Sequence, residues 1–187
     1  MTGSSRSTDV LGAGSPMANQ QGLVLGLVVD TEDPQDRGRV RVAYPYLGAQ
    51  TRSAWAPIAA PMAGHDRGCW FVPEVGDEAV LGFDRNDPSW PIVLGFLWNG
   101  IDDPPSTSTK ERMIRSVNKH TIRFLDPTPD NGNDGGIAIE DSSGNSIVMS
   151  NGKVVIHAVG QLELDAASIV LTSLGNRRVI TPNSNPI

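Results

Sequence analysis

From Gly136 to Thr181 the chain repeats one short pattern, and that pattern limits its fold more than any other feature. The runs GIAIED (136–141), NSIVMS (145–150), KVVIHA (153–158), QLELDA (161–166), SIVLTS (168–173) and RRVIT (177–181) are divided by SSG, NG, VG and LGN. A new run begins about every eight residues, the rhythm of short strands joined by tight turns. Alternation puts Ile137, Ile139, Ile147, Met149, Val154, Ile156, Leu162, Leu164, Ile169 and Leu171 on one side. Glu140, Ser150, His157, Glu163, Asp165 and Thr172 fall on the other. Each predicted strand therefore has one apolar stripe. No aromatic residue follows Phe124, so no large ring is available to cover it. Repeats of this kind need neighbours. Either the meander lies on the rest of the chain, or three chains wind about one axis. In the second arrangement the stripes meet on the axis and the exposed edges are closed. With strands about 4.7 Å apart, six would stack into a stiff rod of roughly 30 Å.

The remainder is a different material. Nine of the ten aromatic residues lie between Tyr44 and Trp98. GLVLGLVVD (22–30) and RVRVAY (39–44) flank the turn residues DPQDRG (33–38) and read as a hairpin. Alternation in the second strand puts Val40, Val42 and Tyr44 on one face, with Arg39, Arg41 and Ala43 on the other. SAWAPIAAP (53–61), GCWFVP (68–73), DEAVLGF (77–83) and WPIVLGFLW (90–98) are further strand candidates. Five or six short strands in this length suit a small barrel of the OB type. The expected organisation is a flexible N-terminal arm (1–20), a barrel (21–100), a linker (101–112), the repeat region (113–181) and a short tail (182–187). With 20 Gly and 14 Pro in 187 residues, long helices are not expected.

Several chemistries find no support. The net charge of −6 and the lack of a Lys/Arg cluster argue against nucleic acid. Cys69 is the lone cysteine, so no disulfide framework forms, and it fits assembly in a reducing cytoplasm. The first residues contain no apolar h-region, and no apolar stretch approaches membrane-spanning length. Glu74, Asp77 and Glu78 in PEVGDE form a carboxylate cluster, but they read best as a solvated turn before a buried strand. Asp84, Asn86 and Asp87 only faintly resemble a calcium loop and read as turn residues. His65, His120 and His157 have no metal-ligand spacing. Neither G-x-S-x-G nor a P-loop occurs. No catalytic, cofactor-binding or metal residue is assigned, and the expectation is a protein that is not an enzyme.

Four stretches resemble a known family. DPQDRGRVRVAYP (33–45) is similar to its D-P-x-x-x-G-R-V-x-V-x-x-P start, and SAWAPIAAPMAG (53–64) to its W-x-x-x-x-x-P-x-A-G element. GCWFVPEVGDEAVLGFDRNDPSWPIVLGFLWNG (68–100) resembles the specific run that ends V-L-G-x-x-(Y/W)-N-G, with Asn86 where Gly is usual. KHTIRFLD (119–126) resembles the G-H-x-I-x-F-x-D that opens the family's rod. The family is the central spike of contractile phage tails and injection systems, the baseplate assembly protein V family, which shares its module with VgrG proteins.

This resemblance implies an all-β chain, an OB-fold barrel followed by an intertwined triple-stranded β-helix, in a homotrimer. The ten residues of the apolar stripe would then line the trimer axis. It implies a non-catalytic spike in the baseplate of a phage tail or injection particle, driven through the target cell envelope when the sheath contracts. The hub-like domains found ahead of the OB-fold in VgrG proteins have no counterpart in this sequence, so a separate hub protein is expected. The lysozyme domain and the iron-binding H-x-H of some phage spikes have none either. PNSNPI (182–187) is too short for a metal-bound apex, so a PAAR-type cap or a blunt end is expected. The rival reading is an OB-fold binding module for carbohydrate or nucleic acid, using Trp55, Trp70, Trp90 or Trp98.

Overall fold

The computed structural model describes residues 22–48, 51–126 and 135–180. The expected arm (1–20) and tail (182–187) lie outside the described residues. Among the described residues the chain is all-β apart from two short 3-10 turns, Pro45–Leu47 and Asp84–Asn86. It divides into two compact units, Met1–Pro104 and Pro105–Ile187.

The first unit is built on a four-stranded antiparallel sheet of β1 (Val24–Asp30), β2 (Arg41–Ala43), β5 (Glu78–Phe83) and β6 (Pro91–Leu97), in the order β2-β1-β5-β6. A small hairpin of β3 (Ala63–Gly64) and β4 (Arg67–Gly68) stands apart from that sheet. The stretch around residues 52–58 joins the two edges of the sheet. Ala56 bridges Val40 and Arg52 bridges Ala43 at one edge, while Ile58 bridges Val93 at the other. This closes the sheet into a barrel without a long strand in the 53–61 segment. Its prolines cannot donate ladder hydrogen bonds, so pairing there falls to single bridges.

The barrel interior follows from strand alternation. Val24 and Val28 of β1, Val40, Val42 and Tyr44, Ala56, Ala79 and Leu81 of β5 and Val93 of β6 form one buried cluster. Each large side chain removed from water here contributes about 1.5–3 kcal/mol. Gly26 lies between Val24 and Val28 on this face. A Cβ there would stand 2.4 Å from Val42 Cγ1 and 2.5 Å from the Ala43 carbonyl oxygen. The glycine is what allows β2 to lie this close to β1. The GCWFVP segment (68–73) contributes only Gly68 to a strand, and its Trp70 ring instead covers Gly38.

The second unit holds a five-stranded antiparallel meander: β7 (Glu111–Arg115), β8 (Thr121–Leu125), β9 (Gly136–Glu140), β10 (Ser146–Ser150) and β11 (Lys153–His157). A separate hairpin joins β12 (Ile169–Ser173) to β13 (Asn176–Ile180). The turns carry the residues their geometry requires. Asn151 and Gly152 both adopt positive φ between β10 and β11, as a two-residue hairpin demands. Asp141 accepts hydrogen bonds from the Ser143 and Asn145 amides, both 2.9 Å, and from Asn145 Nδ2 at 2.6 Å. The Asn145 side chain holds its carboxyl below the ordinary range, with help from those amides.

One strand expectation is corrected. QLELDA (161–166) alternates as a strand should, yet it lies in no strand, and Leu162 and Leu164 are exposed. Alternation marks a strand only when a neighbour bonds its N–H and C=O groups, and one chain supplies no neighbour here. Conversely, Glu111–Arg115 is a strand although its first two residues fall within the expected linker.

Candidate functional site

The register of the meander turns an apolar stripe into a surface. Ile114, Ile122, Ile139, Ile147 and Ile156 are successive cross-strand partners, so five isoleucines form one row across five strands. A second row runs Arg112, Phe124, Ile137, Met149, Val154. Six of the ten stripe residues, Ile137, Ile139, Ile147, Met149, Val154 and Ile156, thus share this face. Ile169 and Leu171 lie on one face of β12, where their partners are Ile180 and Arg178. Leu162 and Leu164 belong to no strand.

This face is uncovered in the single chain. Ile139 is 43% exposed, Ile156 55% and Val154 64%. Sheets that carry one solvated face normally make that face polar. A contiguous aliphatic face of this extent is what a partner would cover.

The other face of the same sheet carries a charged network within one chain, although Arg123 Nε is buried without a hydrogen-bond partner. Arg123 of β8 reaches Glu140 Oε1 at 2.6 Å and Glu111 Oε1 at 3.2 Å. The Ser106 hydroxyl donates to Glu111 Oε2. That hydroxyl, aided by Arg123, lowers the Glu111 pKa. Beside them Ala138 and Thr121 are buried. One side of the meander is therefore polar and partly buried within one chain, and the other is aliphatic and exposed.

Sequence reasoning missed Ile114, Ile122 and Phe124 as members of the apolar face. The signal was present: ERMIR and TIRFL alternate as the later runs do. Reading 101–112 as linker hid the first of them.

The carboxylate motifs resolve into turns. In PEVGDE the Glu74 amide donates to Asp77 Oδ2 at 2.9 Å, and Gly76 takes φ +108°. The Gly76 amide donates to the Val28 carbonyl and the Val28 amide to that of Asp77, so the turn is stitched to β1. Asp87 Oδ1 accepts from the Ser89 amide in the next turn. In DPQDRG, Asp33 accepts Arg39 Nε at 2.8 Å and Arg39 Nη2 at 2.7 Å, plus the amides of Gln35, Arg37 and Arg39. The Arg39 guanidinium holds the Asp33 carboxyl far below its ordinary range. Among the described residues no three His, Cys, Asp or Glu side chains are grouped to hold a metal ion.

Comparison with known proteins agrees with this architecture. Residues 24–98 match the type VI secretion system/phage-baseplate injector OB domain family. The chain is 27% identical over 100 residues to the actin cross-linking toxin VgrG1 of Vibrio cholerae, covering 49% of this chain and 9% of that protein. It is 31% identical over 72 residues to the Vibrio cholerae type VI secretion system spike protein VgrG3, covering 36% and 7%. It is 30% identical over 129 residues to the Pseudomonas aeruginosa spike protein VgrG5, covering 67% and 16%. A match to two thirds of this chain cannot fit within residues 1–98, so that likeness extends past the barrel. The chain spans under a fifth of the length of these curated relatives. The chain is similar to VgrG spike proteins, and its residues 24–98 are an injector OB domain of the type VI secretion and phage-baseplate family.

Proposed function

We propose that this chain is the non-catalytic central spike of a contractile tail or injection particle, working as a homotrimer. The observation that carries the reading is the aliphatic face of β7–β11 in a chain whose other unit is an injector OB domain. Three such faces turned toward one axis would cover one another. The segment after β11 would then continue as an intertwined triple-stranded β-helix, because Leu162, Leu164, Val170 and Leu171 are exposed in one chain and need sister chains to cover them. The ten stripe residues would line the axis. A closed three-chain prism has no free strand edge and transmits axial load through hydrogen bonds on every side.

In this reading the chain is made in the cytoplasm and assembled into a baseplate. A separate hub protein holds the OB end, a PAAR-type protein caps the other, and sheath contraction drives the spike through the target envelope. Nothing in that role requires a reacting group.

The test is mass in solution. Three chains of 19.9 kDa give about 60 kDa. Ile156→Asp should abolish the trimer, because three carboxylates would have to be buried at one level of the axis. A wild-type monomer would overturn the reading, and a trimer indifferent to Ile156→Asp would overturn the assignment of the axial face.

A further inference from the structure

The first unit carries two surface features that complement one another. One is a groove of about 700 Å³ whose lining includes Trp55, Trp90, Pro57, Pro91 and Arg37. Trp90 is 66% exposed. Arg41 stacks on the Trp55 ring, 4.9 Å from its centroid, and its Nε is buried without a hydrogen-bond partner. Arg39 also lines the groove, but Asp33 neutralises it. Arg37 and Arg41 have no carboxylate partner among the described residues, and Asp84 is the one acidic residue in the lining.

The other feature is the strap Ile101-Asp102-Asp103-Pro104-Pro105. Its Ile101 is 90% exposed and its aspartates and prolines are exposed as well. Asn99 Oδ1 accepts the Ile101 and Asp102 amides at 2.9 and 3.0 Å, which fixes where the strap leaves β6. Asp102 and Asp103 line a concavity shared with Asp77 and Glu78, and none of these four acids has a cationic partner among the described residues.

We infer that the Trp55–Trp90 groove of each chain receives the Ile101–Pro105 strap of a neighbouring copy. Two prolines limit the strap's conformational freedom, so docking against an aromatic groove costs it little entropy. The strap carries two aspartates, while the groove carries Arg37 in its lining and Arg41 stacked on its Trp55 ring against the single acid Asp84, so strap and groove are opposite in sign. No residue of the strap lines the groove of its own chain. A ring of three copies needs two different complementary patches on each, unlike a two-fold dimer, which uses one patch twice. A groove on the first unit and a strap that leaves the same unit meet that requirement. This inference rests on the homotrimer proposed above.

The experiment uses the full chain with Cys69→Ser to remove the native thiol. Ser89→Cys, at the edge of the groove, and Ile101→Cys are introduced together and treated with a short bis-maleimide. Both side chains are exposed, so folding is not at stake. The expected product is a covalent trimer near 60 kDa, with none from either single variant. Arg37→Glu should lower the cross-linked yield roughly two- to fivefold, and Asp103→Arg in the same chain should restore it. A trimer in solution that gives no cross-link would overturn the inference and leave the spike reading intact. A cross-link within single chains would overturn it too. A monomer in solution would overturn both. Quenching of tryptophan fluorescence by chitotetraose, lost in Trp90→Ala, with no cross-link formed, would assign the groove to a glycan instead.

Discussion

The two units use the same strand alternation and arrive at opposite results. Nine of the ten buried hydrophobic residues among those described lie in the first unit, and Ala138 is the tenth. In the first unit a sheet closes on itself, and Val40, Val42 and Tyr44 face an interior that the same chain supplies. In the second, five isoleucines align just as regularly and face outward. Alternation therefore fixes which side of a strand is apolar. Whether that side is covered depends on closure, which the first unit achieves within one chain and the meander does not. The barrel should be stable alone, while the stability of the meander and of β12–β13 should depend on protein concentration.

The comparison can be broken most sharply by Ile139→Asp combined with Ile147→Asp. Hydrogen exchange should show the second unit losing protection while the barrel keeps its own. Equal loss in both would mean that the units share one core. Leu81→Ala tests the converse. It should cost the barrel about 2–5 kcal/mol in denaturant unfolding and leave the trimer mass unchanged. Gly26→Ala should cost about 1–3 kcal/mol by overpacking against Val42 and the Ala43 carbonyl. A neutral result would mean that β2 can move away from β1.

Two residues of opposite sign link the barrel's stability to pH. Burial, with a contribution from Tyr46, pushes the Tyr44 hydroxyl up to about 12. The folded state then holds that proton more tightly than the unfolded chain does. Its contribution is full below pH 10 and is lost as pH rises toward 12. Tyr44→Phe should flatten the alkaline fall in melting temperature. Asp33 is lowered by Arg39, so its contribution is full above the ordinary carboxylate range and is lost as pH falls below it. Asp33→Asn should lower stability at neutral pH and flatten the acid limb. The smallest effect belongs to the second unit. Arg112→Ala removes the exposed pair with Asp126 and should leave melting unchanged, since exposed ion pairs of this kind contribute little.

Much of this was legible in the residues themselves. RVRVAY announces its buried face through alternation alone, and DPQDRG and PEVGDE announce turns through Pro, Gly and short acids. The repeat from 136 onward shows both its strands and their lack of a core. The misreadings share one cause. QLELDA has the alternation of a strand and no partner in its own chain, while ERMIR has a partner in TIRFL that the nearby prolines and serines concealed. Pairing between strands is a non-local fact, and a local pattern does not contain it.

By itself the sequence determined the apolar sides of the strands, the position of the turns and the contrast between an aromatic barrel and an aromatic-free repeat. These follow from short-range sterics and from the two-residue period of extended backbone. Only the tertiary structure decided that residues around 52–58 close the barrel, that the isoleucines fall in one row across five strands, and that Trp55 and Trp90 share a groove. Each of these depends on which distant segments become neighbours. Register and closure are settled by the simultaneous hydrogen bonding and packing of segments far apart in the chain.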